Sequence, residues 1–307
     1  MIPVDAFSDA RVLVTGAGGF IGTSLCRRLR GLGAQVHGTT RSPKAGAAAD
    51  VQWTVMGLDD QAALSRLLAS IRPDLIFHLA AQTSGSRSLG MVLPTLHGNL
   101  VATVNLLTAA AEAGCARIVL AGSMEVPRYD EFAPGSPYAV AKQASELYAR
   151  LFSDLYGTVA ATARIFMVYG AGQDDVAKLI PYVILALLRG ETPRLSSGAR
   201  PVDWIYVDDV VEGLLHIALT PGLAGDMVDL GTGRAETVRS VVEQLVDIAG
   251  TDLRPDFGAL ADRPMEIVAA ADTARTKARI GWEPLVGLED GLRRTFEHYR
   301  RLRAGSE

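Results

Sequence analysis

Two side chains able to move a proton stand four residues apart in the stretch SPYAVAK: the phenol of Tyr138 and the ammonium of Lys142. At the start of a helix, positions i and i+4 share one face. An ammonium beside a phenol lowers its pKa, which would let Tyr138 act as general acid or base near neutral pH while Lys142 also reaches a bound ribose. A third candidate, Ser123, closes the apolar run RIVLAGS. Taken alone, a Gly-Ser pair at a strand end is ordinary turn chemistry. Ser123 gains a chemical reading from its company, the Tyr-x-x-x-Lys pair and a glycine motif far upstream.

That motif is TGAGGFIG, in which Gly16, Gly19 and Gly22 follow a G-x-x-G-x-x-G spacing. It falls between a β-branched run and an amphipathic stretch. The first glycines let the backbone turn tightly against a pyrophosphate, the helix start offers free N–H groups to it, and the last lets helix and strand pack closely. Gly16, Gly19, Phe20, Ile21 and Gly22 are therefore expected to cradle a dinucleotide. The next strand, QVHGTTRS, ends without the carboxylate that would accept hydrogen bonds from an adenosine ribose. Thr40 stands there and Arg41 follows. A guanidinium suits a 2′-phosphate, which favours NADP and leaves NAD as the alternative.

The elements that must position these groups alternate along the chain. After the opening β-α-β unit, strands are predicted at 74–81, 117–123, 159–166 and 226–231, with helical periods between most of them. Near-continuous apolar strands separated by helices predict an α/β fold, a doubly wound parallel Rossmann sheet covered on both faces. The pattern loosens beyond residue 168. We expect residues 1–168 to form the dinucleotide-binding domain, with 203–231 (DWIYVDDVVEGLLHIALT onward) returning to its sheet. Residues 169–202 and 232–307 would form a smaller, interleaved substrate region, with a cleft between packed lobes.

Composition narrows the function. The 307 residues are 49% hydrophobic and 21% charged, with a net charge of −4, so there is no positive excess for a nucleic acid. Cys26 and Cys115 read as buried free thiols. The five histidines lack metal-ligand spacing, and no metal is expected. With no signal-like N-terminus and no apolar run long enough to span a bilayer, a cytoplasmic protein with no membrane partner is expected.

The segments TGAGGFIG, FHLAAQ, GNLVATVNLL, AGSMEV, SPYAVAK, KLIP, DWIYVDDV, DRPME and IGWEP, in this order, resemble the extended short-chain dehydrogenase/reductases, and among them the enzymes that modify nucleotide-diphosphate sugars. The resemblance implies that Ser123 hydrogen-bonds the reacting sugar oxygen, Tyr138 moves its proton, Lys142 holds the cofactor ribose and Asn99 supports the active-site water and helix. It places Leu58, Leu79, Ala80 and Ala81 around the cofactor. Thr83, Ser84, Lys178 and Leu179 fall around the substrate. It further implies a homodimer built on a four-helix bundle from the helix after Tyr138 and the one beginning near Pro94.

Departures from the family pattern bear on the reaction. Met124 stands where dehydratases carry an acid, and cannot protonate a leaving hydroxyl; the neighbouring Glu125 is kept as a catalytic candidate. Ser123 and Tyr138 are 15 positions apart, a short spacing that resembles the net reductases of the family. Met167 replaces an amide that touches substrate, and Val202 replaces a diphosphate-binding arginine, with Arg200 a possible substitute and Arg263 matching the second such arginine. Gly57 replaces an aspartate that holds adenine, leaving that task to the backbone around Leu58. The reading is an NADP(H)-dependent hydride transfer at C4 of a nucleotide sugar, best a 4-ketoreductase of a 4-keto-6-deoxyhexose. A redox-neutral 4-epimerase or 4,6-dehydratase, and a non-catalytic NADP-binding protein, stay open.

Overall fold

The computed structural model describes residues 2–42, 50–127, 134–262 and 266–305. The first half runs β1 (Arg11–Thr15), α1 (Phe20–Gly31), β2 (Gln35–Thr40), β3 (Gln52–Val55), α2 (Gln61–Ile71) and β4 (Leu75–His78). A 3₁₀ turn (Leu89–Met91), α3 (Val92–Thr95), a π-helical turn (Leu96–Val101) and α4 (Ala102–Glu112) lead to β5 (Arg117–Ser123), α5 (Pro137–Tyr156) and β6 (Val159–Ile165). Then come β7 (Met167–Tyr169), α6 (Leu179–Leu188), β8 (Arg194–Leu195), β9 (Pro201–Tyr206), α7 (Val207–Leu219) and β10 (Met227–Leu230). The chain closes with β11 (Ala235–Thr237), α8 (Val238–Ala249), β12 (Asp256–Phe257), α9 (Thr273–Ile280) and α10 (Leu288–Ala304).

Among the described residues a seven-stranded sheet in the order β10-β6-β5-β4-β1-β2-β3 forms the centre, every pairing parallel. The chain winds outward from β1 to β3, then crosses to β4 on the other side, so the order reverses between β1 and β4. In doubly wound sheets that reversal opens a crevice at the carboxyl ends of the strands. Alternation along the strands divides the core. Val12, Val14, Phe77 and Val119 face one side with Leu25 and Leu29 of α1 and Leu214 of α7. Leu13, Ile76 and Ile118 face the other with Leu64, Leu68, Leu106, Leu107 and Phe152 from α2, α4 and α5. This period of two, buried on both faces, is what the apolar runs of the sequence encode.

One expected strand goes elsewhere. Residues 203–206 lie in β9, which does not return to the main sheet but joins β7 and β11 in a separate three-stranded sheet. The following α7 packs on the main sheet, and β10 becomes its edge strand. The reason is the bend after β6: β7 leaves the large sheet immediately, and β9 pairs with it in parallel, Met167 opposite Trp204. β9 then packs with α6, α8 and α10 in a second core around Trp204, Ile184, Leu245 and Leu292. The strand β3 escapes the sequence reading because QWTV is short and has no buried position, with exposed ends and two half-buried residues between them.

Two buried carboxylates tie the parts together. Arg164 and Asp229 are direct cross-strand partners on β6 and β10 and form an ion pair of 2.7 Å, almost wholly out of water. Asp203 of β9, with no exposed surface, accepts hydrogen bonds from Thr232 N, Thr232 Oγ1, Gly233 N and Ala271 N at 2.6–2.9 Å. It thereby pins three segments far apart in sequence. Replacing it would strand those donors in the interior. Asp203→Ala is expected to lower unfolding stability by about 3–5 kcal/mol, the range for breaking a buried charged network, with the loss read from the midpoint of urea denaturation at unchanged slope.

Candidate active site

The glycine turn sits at the strand reversal. Gly16 has φ +68°, and a Cβ there would lie 2.7 Å from Ala80 N and 2.8 Å from Ala80 Cα, just past β4. A Cβ on Gly22 would collide with the carbonyl of Gly16. The turn is therefore drawn tight against the β4 end, and α1 is preceded by Gly19 at its N-cap, extended in backbone and with no side chain to cap the helix. The first N–H groups of α1 thus lack a side-chain cap where a phosphate would lie. Phe20 packs on the C-terminal core and Ile21 on the core beside the main sheet, so these two residues bridge the lobes at the cradle. Leu79 N donates to Thr15 O, and Leu79, Ala80 and Ala81 are all half-buried beside the turn.

At the other rim of the cofactor groove, Arg41 is exposed just past β2. Leu58 points into the core, and its carbonyl accepts from Asn105 Nδ2 at 3.0 Å. The carboxylate of Asp59 folds over the position a Gly57 side chain would fill. Sequence reasoning missed Asp59 because its carboxylate is offset by two positions and is placed only by the bend before α2.

Below the groove runs a chain of buried hydrogen bonds. Thr103 Oγ1 gives its proton to Asn99 O at 2.6 Å, so His78 Nε2 must donate to it at 2.9 Å, and His78 Nδ1 accepts from Thr15 Oγ1 at 2.7 Å. Burial, with Lys142 nearby, holds His78 far below its ordinary pKa, at about 3, and therefore neutral. Asn99 lies in the π-helical turn and clamps Gln82 twice, accepting from its N–H at 2.7 Å and donating to its carbonyl at 3.2 Å.

The proton-moving side chains converge on the end of β5. Ser136 caps α5 by accepting from Ala139 N, and Pro137 occupies the first turn, so Tyr138 and Lys142 fall on the face turned to β5. Ser123, whose hydroxyl accepts from Glu125 N at 3.2 Å, is near enough to Tyr138 to favour its ionised form. Lys142 Nζ donates to Ala121 O at 2.6 Å and lies 5.9 Å from the Tyr138 ring centroid. The phenol is not acidified, contrary to the expectation from spacing. Burial pushes Tyr138 up to about 12, opposed by Ser123 and reinforced by the charge of Glu125. Burial also pulls Lys142 down to about 8. The ammonium is aimed at a carbonyl rather than at the phenol oxygen, and desolvation outweighs their attraction.

Beyond Tyr138 opens a cleft lined by Gly85, Arg87, Glu125, Arg200, Glu266 and Ile267 among others. Glu125 Oε2 accepts from Ser136 Oγ at 3.2 Å, which binds this carboxylate to the cap of α5. Arg200 pairs with Glu266 at 3.0 Å and donates to Ile267 O, while its buried Nε has no partner. Arg87 donates to Gly135 O at 2.8 Å. Lys178, at the head of α6, reaches Thr83 O at 3.5 Å across the cleft mouth, with Leu179 packed on the C-terminal core and Ser84 accepting from Ser86 N. Met167 is half-buried at the start of β7. Met124 and Val202 are both buried in core, so neither position sends a side chain into the cleft. Arg263 lies outside the described residues. Cys26 and Cys115 are buried free thiols, and no described helix is long and apolar enough to cross a membrane.

These features coincide with a known group of proteins. The NAD dependent epimerase/dehydratase family matches residues 12–231, and the chain belongs to that family of enzymes. A UDP-glucose 4-epimerase of Mycolicibacterium smegmatis is 31% identical over 94% of this chain and 98% of its own. The crystal structure of a Thermotoga maritima UDP-glucose 4-epimerase with UDP-glucose superposes with a TM-score of 0.88 at 27% identity, covering 95% of this chain and 99% of that one. The dTDP-glucose 4,6-dehydratase DesIV of Streptomyces venezuelae, solved with NAD bound, gives a TM-score of 0.85 at 29% identity, with 96% and 98% covered. The family membership, the doubly wound fold and dependence on a nicotinamide dinucleotide follow for this chain.

The glycine turn yields a direct prediction. An alanine at position 16 must hold a left-handed backbone, at about 1–2 kcal/mol, while its methyl meets backbone that cannot step aside. Gly16→Ala is expected to abolish binding of the reduced dinucleotide, measured as loss of energy transfer from protein tryptophans to the nicotinamide, in a chain that still folds.

Proposed function

We propose that the protein is an NADP(H)-dependent 4-ketoreductase acting on a nucleotide-diphosphate 4-keto-6-deoxyhexose. The observation that carries this reading is Met124: the position that would hold an acid for elimination carries a thioether turned into the core. Tyr138, buried at the start of α5, keeps its proton at neutral pH and would donate it to the oxygen that reduction of a ketone turns into an alkoxide.

A bound reduced nicotinamide supplies the hydride. For their part, Ser123 and Tyr138 would hold the substrate O4, Ser123 by donating a hydrogen bond and Tyr138 by transferring its proton as the carbonyl carbon is reduced to a carbinol. The proton lost by Tyr138 is replaced from solvent. Lys142 would bind the ribose, and Gly16, Gly19, Phe20, Ile21, Gly22, Leu79, Ala80 and Ala81 would line the cofactor groove with Asn99 beneath. Arg41 supports the choice of NADP, since a guanidinium can pair with a 2′-phosphate. Asp59 and Leu58 would meet the adenine. On the substrate side, Thr83, Ser84, Lys178, Leu179 and Met167 would flank the sugar and nucleotide, with Arg200 and Arg263 on the diphosphate. Met124 turned into the core removes any acid from the position that would serve dehydration.

A second reading is supported by the relatives, which are named as epimerases and dehydratases. A redox-neutral enzyme would turn over without added reductant. Purified protein is expected to oxidise NADPH faster than NADH when given an enzymatically prepared 4-keto-6-deoxy nucleotide sugar, followed at 340 nm. Tyr138→Phe should slow that turnover by about 10²–10⁴-fold with cofactor binding retained. Conversion of UDP-glucose to UDP-galactose with no reductant, and no NADPH oxidation with any keto sugar, would instead establish the second reading.

The proposed assembly is a homodimer. Leu147, Leu151 and Leu155 form an exposed apolar row at i, i+4 and i+8 on α5, and Leu93 and Leu96 lie exposed on the neighbouring α3 and π-helical turn. Apolar faces of this extent on adjacent helices are what a four-helix interface covers. Leu151→Glu is expected to give a monomer by light scattering, where the unaltered chain runs as a dimer.

A further inference from the structure

The face of α5 that carries Tyr138 and Lys142 continues one turn deeper. Four residues beyond Lys142 comes Glu146, so the three side chains stack at i, i+4 and i+8. Glu146 Oε1 is buried without a hydrogen-bond partner, and a buried carboxylate left so is costly unless something is arranged for it. It comes close to the sheet because residue 122 is a glycine. A Cβ there would lie 3.2 Å from Glu146 Oε1 and 2.7 Å from Thr162 Cγ2. Lys142 and Glu146 both line a small internal cavity, together with His78, Thr103, Ser145 and Thr162. Its size suits about one water molecule, with His78, Thr103, Lys142 and Glu146 among the polar groups on its lining.

The charges around this carboxyl come from every packed element. Lys142 stands above it on α5, Arg164 faces it from β6 with an unpartnered Nε, and Asp229 of β10 opposes it through Arg164. His78 on β4 faces the same cavity as a neutral ring. Arg164 is committed to Asp229 at 2.7 Å, and the hydrogen bond of Lys142 to Ala121 O brings it no countercharge. Glu146 is thus the acid placed to balance the buried ammonium.

We propose that Glu146 is a positioning residue that keeps Lys142 charged, acting through the water-sized cavity the two side chains share. The proposal rests on the reading of Tyr138 and Lys142 as the proton-transfer pair. Burial draws Lys142 down to about 8, and Glu146 is the group that holds it up. Glu146 itself is raised to about 7 by burial, against the pull of Arg164 and Lys142. A folded-state lysine pKa below the ordinary value means the ammonium is complete only below about 8 and fades above it. Taking away the carboxylate moves that loss to lower pH, so a cation present at pH 7.5 in the native enzyme would be largely gone.

The test needs neither cofactor nor substrate. The chain has four lysines, at 44, 142, 178 and 277, so protein grown on [ε-¹³C]lysine gives few signals, and Lys142→Met assigns the one of interest. In the full-length enzyme the Lys142 signal should titrate near 8; Glu146→Gln, which keeps size and shape, should lower that midpoint by about one pH unit or more. Glu146→Asp, which keeps the charge but retracts it, should fall between the two, and it serves if the glutamine variant does not fold. An unchanged midpoint in either folded variant overturns the proposal. With a keto-sugar substrate, the alkaline limb of the turnover–pH profile should move down in parallel. A shifted lysine midpoint in an enzyme inactive toward every keto sugar would leave this inference standing and sink the ketoreductase reading.

Discussion

A lysine ammonium held out of water between α5 and the end of β5 sets the terms for the rest of the site. Lys142 is buried, donates to a strand carbonyl and sits beside a phenol that is buried as well. Such a charge persists only where the surroundings supply acceptors and compensating charge. The cap by Ser136, the proline that starts α5 and the glycine at 122 all contribute to that placement. So does the polar ladder of Thr15, His78, Thr103 and Asn99 beneath it, which fills its own hydrogen-bonding capacity and leaves no competing charge.

The same constraint explains how the lobes are joined. A cleft that opens past the carboxyl ends of β4 and β5 needs a second wall, and Arg200, at the entry to β9, provides it with Glu266 and Ile267 once β7 and β9 have left the main sheet. Their departure would be loose without Asp203, whose four accepted hydrogen bonds fasten β9 to the turn after β10 and to the segment before α9. Met124 and Val202, which read as gaps in a binding site, are instead parts of two cores. Among the polar groups left along the cleft are Arg200, paired with Glu266, and Arg87, bonded to Gly135 O.

Much of this was legible in the residues. The β5, β6 and β10 runs fall where apolar continuity predicts strands, since burial on both faces demands an unbroken apolar string. The glycine turn and the helical phase of Tyr138 and Lys142 were also readable, because local geometry alone dictates them. Three features were not. β9 has the same apolar character as a main-sheet strand, and only its pairing with β7 assigns it to the smaller sheet. Asp59 lies where a bend in the chain carries its carboxylate over Gly57. Glu146 resembles any helical glutamate until the packing of α5 on β5 turns it inward.

The chain's order of residues determined what depends on neighbours within a few positions: turns, caps, helix faces and the strand alternation. It placed a phenol and an ammonium on one side of a helix. Tertiary structure alone decided the sign of the phenol's pKa shift, because desolvation depends on everything packed around a group while spacing reports only one neighbour. Burial raised Tyr138 where proximity to Lys142 suggested a lowering, and that reversal comes from the whole fold closing over the site.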